Sequence, residues 1–212
     1  MHMAIAVITK EEPTFEVLSK TLQPFHEFGC DGINDEYVQT IDVLEELKNE
    51  YSKRDDIIYS FANYLSHCEY NGEHCKLDED DEPDLDGDHQ FGWFRVDKNG
   101  EVIEETHRTN PNSQWDWWVV GGRYSNRILR KSVEGEHDSA KVSDIDWEEM
   151  RKRSANKFNV NYLLGVFGYV KDGVWTDMGW DNDDESTWHA HLDELYKSIP
   201  EDHYITIVDC HV

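Results

Sequence analysis

The sequence predicts an α+β fold, with a largely antiparallel sheet and helices packed mainly on one face; a ferredoxin-like variant is one form of it. Three observations lead there. Strand-like and helix-like stretches follow one another in blocks, the pattern of an α+β chain. Two dipeptides, Asn99-Gly100 and Asp172-Gly173, each stand between strand-like runs, the signal of a tight hairpin. The first and last apolar runs, residues 3–9 and 204–212, are rich in β-branched side chains and are expected in the centre of the sheet.

The elements follow in order. After the first strand, Phe15, Leu18, Leu22 and Phe25 recur at near-helical spacing up to Pro24. Residues 40–65 read as helical, with Ile41, Leu44, Leu47, Tyr51, Ile58, Phe61 and Leu65 three or four apart, broken near Arg54-Asp55-Asp56. Strands 91–97 and 101–108 flank the first hairpin turn, and 115–124 is a third strand interrupted at Gly121-Gly122. Residues 132–143 read as a polar loop, after which Ser143 or Asp144 can cap a helix striped by Trp147, Met150 and Phe158. Strands 163–170 and 174–178 form the second hairpin, and Trp188, Leu192, Leu195 and Ile199 mark a last helix ended by Pro200. Residues 1–212 are thus expected as a single domain, with an acidic mobile insertion at about residues 67–89.

Charge narrows the function. The 212 residues carry 46 Asp and Glu against 20 Lys and Arg, a formal net charge of −26. Such a chain is ill suited to phosphate backbones or anionic membranes, which call for basic patches. Eight Trp and ten Tyr still provide a core. No apolar run approaches the roughly 18 residues of a spanning helix. The first residues are too short and acidic for a signal peptide. The four cysteines are therefore expected reduced, in a cytosol.

The acid excess is uneven. Residues 78–88 hold eight acids and no base, and 181–185 hold four more, whereas 123–157 carry nine bases against seven acids. An acidic run of this kind repels itself and reads as a solvated loop. An acidic face can also steer a basic partner toward the protein.

The densest unusual stretch is Asn110-Pro111-Asn112-Ser113-Gln114-Trp115-Asp116-Trp117-Trp118, followed shortly by Gly121-Gly122-Arg123-Tyr124. Alternation puts the Trp rings on both faces of a strand. Arg123 offers a planar fork for carboxylate or phosphate and can stack on aromatics. The segment is either a stacking pocket for a nucleotide-like anion or an aromatic core in which Arg123 is paired with an acid. Asp209 and His211 share a face of the last strand, and His26 and His107 are further candidates. The ligand-binding set is Arg123, Trp115, Trp117, Trp118, Asp116, Tyr124, His107, His26, Asp209 and His211, with no catalytic residue, metal or cofactor assigned.

Weaker patterns stand beside these. His67-Cys68 and His74-Cys75 supply zinc-type ligands, but adjacent residues rarely face one ion. Glu82, Asp84, Asp86, Gly87 and Asp88 imitate half of a calcium loop, whose twelfth position is then Trp93 rather than a bidentate Glu. His107-x-Thr109 and His137-x-Ser139 mimic a two-histidine phosphoesterase, with His137 expected in a loop. Cys210 beside His211 lacks the geometry of a thiolate pair, because strand neighbours face opposite sides.

Segments 25–42, 108–128, 143–158, 170–180 and 205–212 resemble a family of uncharacterised bacteriophage and prophage proteins. The likeness rests on a His-Glu-Phe loop, Asn-Pro-x-x-x-Trp-Asp-Trp, Gly-Gly-Arg-aromatic, an Asp-Trp helix and an Asp-Cys-His end. It covers about two thirds of the chain; Tyr124 stands where relatives tend to have Trp, and the insert 67–89 has no counterpart. It implies a phage-type origin and a bacterial host cytoplasm, not a mechanism; that origin, the acidity and the absence of a catalytic signature together lead to the expectation of an accessory protein, an inhibitor of host machinery or defence. Two forms are expected: an acidic decoy of a basic host protein, or a binder of a nucleotide signal. The alternative is a phosphoester- or nucleotide-processing enzyme using His26, Arg123, Asp209 and His211. No direct nucleic-acid or membrane contact is expected.

Overall fold

A computed structural model describes residues 1–27, 35–54, 59–65, 75–158, 163–179 and 185–212. The fold is α+β, with mixed sheets in which antiparallel pairs predominate. The His67-Cys68 and His74-Cys75 pairs, the Asp55-Asp56 break and most of the acidic run 181–185 lie outside the described residues or, for Cys75, only its backbone lies within them. Where one domain with an acidic insertion was expected, the chain divides into two compact units, residues 1–26 with 114–212, and residues 27–113.

The first unit is built on the two strands that the sequence marks most clearly. β1 (His2–Thr9) and β12 (Tyr204–His211) pair antiparallel along their whole length, from His2 opposite His211 to Thr9 opposite Tyr204. Both are almost continuously buried because the sheet is covered on both faces. On one face Ala4, Ala6, Ile8, Ile205 and Ile207 pack with α4 (Trp147–Phe158) and α5 (Glu185–Ser198) through Met150, Trp188, Leu192 and Leu195. On the other, Met3, Ile5, Val7, Val208 and Cys210 meet the short α1 (Phe15–Leu22) through Leu18 and Leu22. The two long helices thus share one face, as expected, and α1 closes the other.

The strand order is β11–β10–β1–β12–β6, with β10 (Gly168–Lys171), β11 (Val174–Asp177) and β6 (Trp117–Val120). The outer edge of β12 is shared end to end by β6 and by β9 (Ser139–Lys141). A ferredoxin-like sheet would set the second hairpin strand beside β1, with every pair antiparallel. Here β10 lies directly against β1 and runs parallel to it, so the ferredoxin-like arrangement does not form. The β10–β11 turn is the expected two-residue kind, with Asp172 at φ 53° and Gly173 at φ 76°.

Other differences are local. Residues 40–42, read as the start of a helix, belong to strand β2 (Gln39–Asp42), paired with β5 (Val102–Thr109). The helix α2 (Leu44–Ser52) begins only afterwards. The supposed polar loop 132–143 contains β8 (Glu136–His137), paired with β7 (Ile128–Leu129), and then β9. His137 therefore stands on a short strand rather than in a loop. The helix α4 is capped neither by Ser143 nor by Asp144. Asp146 Oδ1 accepts the Glu149 N–H at 3.0 Å, while Asp144 is taken by Arg130 Nε at 2.7 Å and by Ser132.

The second unit has the sheet order β2–β5–β4–β3, with β4 (Gly92–Val96) and β3 (Cys75–Leu77). The first hairpin turn, Lys98-Asn99-Gly100, joins β4 to β5 as expected. Leu47, Tyr64, Leu65, Phe94, Val96 and Val102 form its core, contributed by α2, α3 (Phe61–Tyr64) and the hairpin. Residues 78–88 do not stand free as a loose loop. Arg95 of β4 donates to the carbonyls of Asp78 (3.0 Å) and Asp81 (2.6 Å), and Arg108 of β5 donates to those of Leu85 (3.1 Å) and Gln90 (2.9 Å). Two arginine forks thus fix the backbone of a segment whose own carboxylates repel each other.

Candidate functional site

The Trp-rich segment is divided between the two faces of the first sheet, as its alternation requires. Trp115 is buried, and its Nε1–H donates to the Leu22 carbonyl at 3.1 Å. His26 stacks on it with ring centres 4.2 Å apart and donates from Nε2 to the Asp116 carbonyl at 3.0 Å. Trp118 is half-buried against Phe15. These three rings belong to the packing beneath α1 and offer no open stacking slot. Trp117 lies on the opposite face and is 44% exposed.

A cross-strand row brings chemistry to that opposite face. Register sets His2, His211 and Trp117 side by side on β1, β12 and β6. The His2 and His211 rings are 5.0 Å apart edge-to-face, and Trp117 stacks on His211 at 5.7 Å. Each imidazole has its own carboxylate. His2 Nδ1 is 2.8 Å from Asp209 Oδ1, and His211 Nδ1 is 2.8 Å from Asp116 Oδ1. An ionised carboxylate only accepts, so both histidines carry a proton on Nδ1 and leave Nε2 turned the other way. Asp209 is 1% exposed and Asp116 half-buried. Burial works to raise the Asp116 carboxyl, but the hydrogen bond and charge of His211 and the Trp117 backbone N–H outweigh it, holding it below the usual carboxylate range.

The Gly121-Gly122-Arg123 turn closes over Asp209. Gly121 and Gly122 both have positive φ, 69° and 49°. A Cβ on Gly122 would stand 2.6 Å from Asp209 Cβ, and one on Gly121 would stand 2.4 Å from the Asp138 carboxylate. The two glycines therefore let the chain close over two aspartates, and the Arg123 backbone N–H donates to Asp209 Oδ2 at 2.9 Å. The Arg123 side chain is exposed, with no acid in ion-pair reach among the described residues. Tyr124 donates from its hydroxyl to the His2 carbonyl at 2.9 Å and lies under the Arg127 guanidinium.

Of the expected set, Asp116, Trp117, Asp209 and His211 come together. Trp115, Trp118 and His26 pack on the other face, and Tyr124 braces the backbone. His107 belongs to the second unit, on β5, with its Nε2 3.9 Å from the fully buried Glu105. His2 was missed: a lone histidine before an apolar run has no meaning until register pairs it with His211. Cys210 points into the core, where burial first, and then the adjacent Asp209, push its thiol up. Among the described residues no group of three or more His, Cys, Asp or Glu side chains is placed to hold a metal ion. Among the described residues no helix is long and apolar enough to cross a membrane.

The acidic surface is better formed than the sequence suggests. The second unit holds 24 Asp and Glu against 7 Lys and Arg, a net of −17, which leaves −9 for the first unit. All eight carboxylates of residues 78–88 are exposed. Among the described residues only Asp78 and Glu79 of the eight meet a lysine, Lys76 at 3.0 Å and Lys98 at 3.5 Å. Comparison with protein-family models, with curated proteins and with solved structures finds no match for this chain.

Proposed function

We propose that this protein is an acidic binding protein, a phage-type accessory factor that occupies the nucleic-acid-binding surface of a basic protein in the bacterial cytoplasm. The observation that carries this is the second unit: a net charge of −17, with an eight-acid segment held in shape by Arg95 and Arg108. A fixed array of carboxylates loses less conformational freedom on binding than a loose tail would. It also raises the association rate with a cationic partner in a salt-dependent way. The nucleotide-binding form has less support, since the exposed Trp117 ring stacks on His211, whose partly exposed partner Asp116 puts a carboxylate where a phosphate would approach.

The test is a competition. Proteins of a bacterial host retained on heparin are bound to labelled DNA, and the chain is added at low and at high salt. A decoy displaces the DNA from a subset of these proteins at low salt, and the displacement fades as salt rises. Unchanged DNA binding at every salt concentration would sink the proposal.

One observation favours a second reading, acid–base catalysis on a phosphoester or nucleotide. His2–Asp209 and His211–Asp116 are two oriented imidazole–carboxylate pairs with rings 5.0 Å apart. Turnover that survives a chelator and disappears in both His2→Ala and His211→Ala would support it. An inert nucleotide and phosphodiester panel would remove it.

A further inference from the structure

The first unit contains a concavity of about 640 Å³ that none of the residues above explains. Its size falls in the range of small-molecule sites, roughly 300–1,000 Å³. Its floor is apolar: Met150, Leu164, Val166 and Trp188 are all buried, and Phe167 and Met178 complete it. A concave apolar surface with a few charged groups at its margin is the usual form of a ligand site.

One charged group in the lining stands apart. Arg127 is half-buried and faces no carboxylate within ion-pair distance among the described residues. Its Nη1 donates to the carbonyls of Leu164 (2.9 Å) and Gly165 (2.7 Å), and its guanidinium lies 4.8 Å from the Tyr124 ring centre. A guanidinium has five N–H groups, and these bonds account for one end of the fork. Burial pulls its pKa down, as expected of a cation removed from water without a counter-ion, yet an arginine keeps its charge. The other lining charges differ. Arg153 is held by Glu136 at 3.1 Å and Glu149 at 3.3 Å, and Glu185 lies exposed in the first turn of α5.

The backbone on either side of Arg127 is set for this. Asn126 adopts φ 63°, unusual for a residue with a Cβ, and its N–H is held by Asp138 Oδ1 at 2.5 Å. Gly165 adopts φ 58°, and a Cβ there would stand 3.4 Å from Arg127 Nη1. The turn at Asn126 and the glycine at position 165 thus place a half-buried cation at the wall of an apolar cavity. Such a cation is costly without an anion, and the described residues supply none within ion-pair distance.

We propose that this cavity binds a small molecule with an apolar body and a single carboxylate, the carboxylate on Arg127 and the body against Trp188, Met150 and Met178. The site is independent of the acidic surface and of the His–Asp pairs. Decanoate and its neutral counterpart decanol are suitable probes. The chain has four methionines, Met1, Met3, Met150 and Met178, so methyl-labelled methionine spectra of the wild-type protein report the site directly. Decanoate should shift Met150 and Met178 saturably and leave the core methionine Met3 in place. Calorimetry should show decanol binding at least about tenfold more weakly, the size of a charge-assisted hydrogen bond. Arg127→Gln should bring the two probes to equal affinity, and Arg153→Gln should preserve the preference. The proposal is overturned if Met150 and Met178 do not respond, if decanoate and decanol bind alike, or if Arg153→Gln rather than Arg127→Gln erases the difference. Should Arg127→Gln fail to fold, the two wild-type measurements decide.

Discussion

Arg123 donates its backbone N–H to Asp209 Oδ2 across 2.9 Å, while its guanidinium stands in solvent. The other oxygen of Asp209 takes the Nδ1–H of His2. A residue type that normally acts through its side chain contributes here through its amide, and the Gly-Gly step before it exists to make that amide reachable. Asp209 is therefore a buried carboxylate with both oxygens engaged, joining β1, β12 and the turn after β6.

Removing that carboxylate should be costly. Asp209→Ala leaves the Arg123 N–H and the His2 ring without their acceptor in a buried place, and is expected to destabilise the protein by about 2–4 kcal/mol. Gly122→Ala should have a similar effect, since its Cβ would strike Asp209 and Val119 at a positive φ. Urea titrations of both variants give the values; a change under about 0.5 kcal/mol would mean that the turn does not depend on this contact.

Acid should weaken the first unit through Asp116. Its carboxyl titrates below the usual range in the folded protein, through His211 and the Trp117 N–H working against burial. A lowered folded-state value means that the contribution is fully present above the unfolded-state pKa, roughly 4, and is lost as pH falls through the folded value. Thermal melts between pH 6 and pH 3 should show this loss, and His211→Asn should flatten it. Identical acid profiles for the wild type and His211→Asn would refute the pairing.

Cys210 should be inert. Its thiol is buried on the α1 side of β12 and is pushed up by desolvation and by Asp209, so little thiolate forms near neutral pH. Alkylation mapped by mass spectrometry should label it only after denaturation. Rapid labelling in the native state would mean that β12 is not the buried strand described.

The acidic segment should loosen when its arginines are removed. Arg95→Ala takes away the donor to Asp78, Asp81 and the Glu104 carboxylate, and Arg108→Ala the donor to Leu85 and Gln90. Amide exchange across residues 78–88 should accelerate in the double variant while β1 and β12 are unaffected. Unchanged exchange would mean that other contacts hold the segment.

What could be read in advance depended on whether the signal was local. The β1 and β12 strands declare themselves through β-branched runs, and Asn99-Gly100 and Asp172-Gly173 through φ preferences that few other pairs satisfy. The shared face of Asp209 and His211 follows from a period of two. By contrast, Thr40, Ile41 and Asp42 continue a helical spacing into α2, and only pairing with β5 makes them a strand. His2 acquires a role through register with a residue 209 positions later. The cavity at Arg127 is assembled from β7, α4, α5 and the chain before β10, so no single stretch announces it. Arg123 drew attention by its motif, whereas Arg127, four residues on, is the cation withdrawn from water.

The measurement closest to the central proposal compares two charge-neutralised variants in the DNA-displacement assay with heparin-retained host proteins. One replaces Asp80, Asp81, Glu82, Asp84, Asp86 and Asp88 of the second unit by their amides. The other does the same at six exposed acids of the first unit: Glu11, Glu12, Glu134, Glu148, Glu194 and Glu201. If the fixed acidic segment is the binding surface, only the first variant loses displacement at low salt, and the wild type and the second variant remain alike. Equal loss in both would show that net charge alone is responsible, and no loss in either would show that the acidic segment is not the surface that binds.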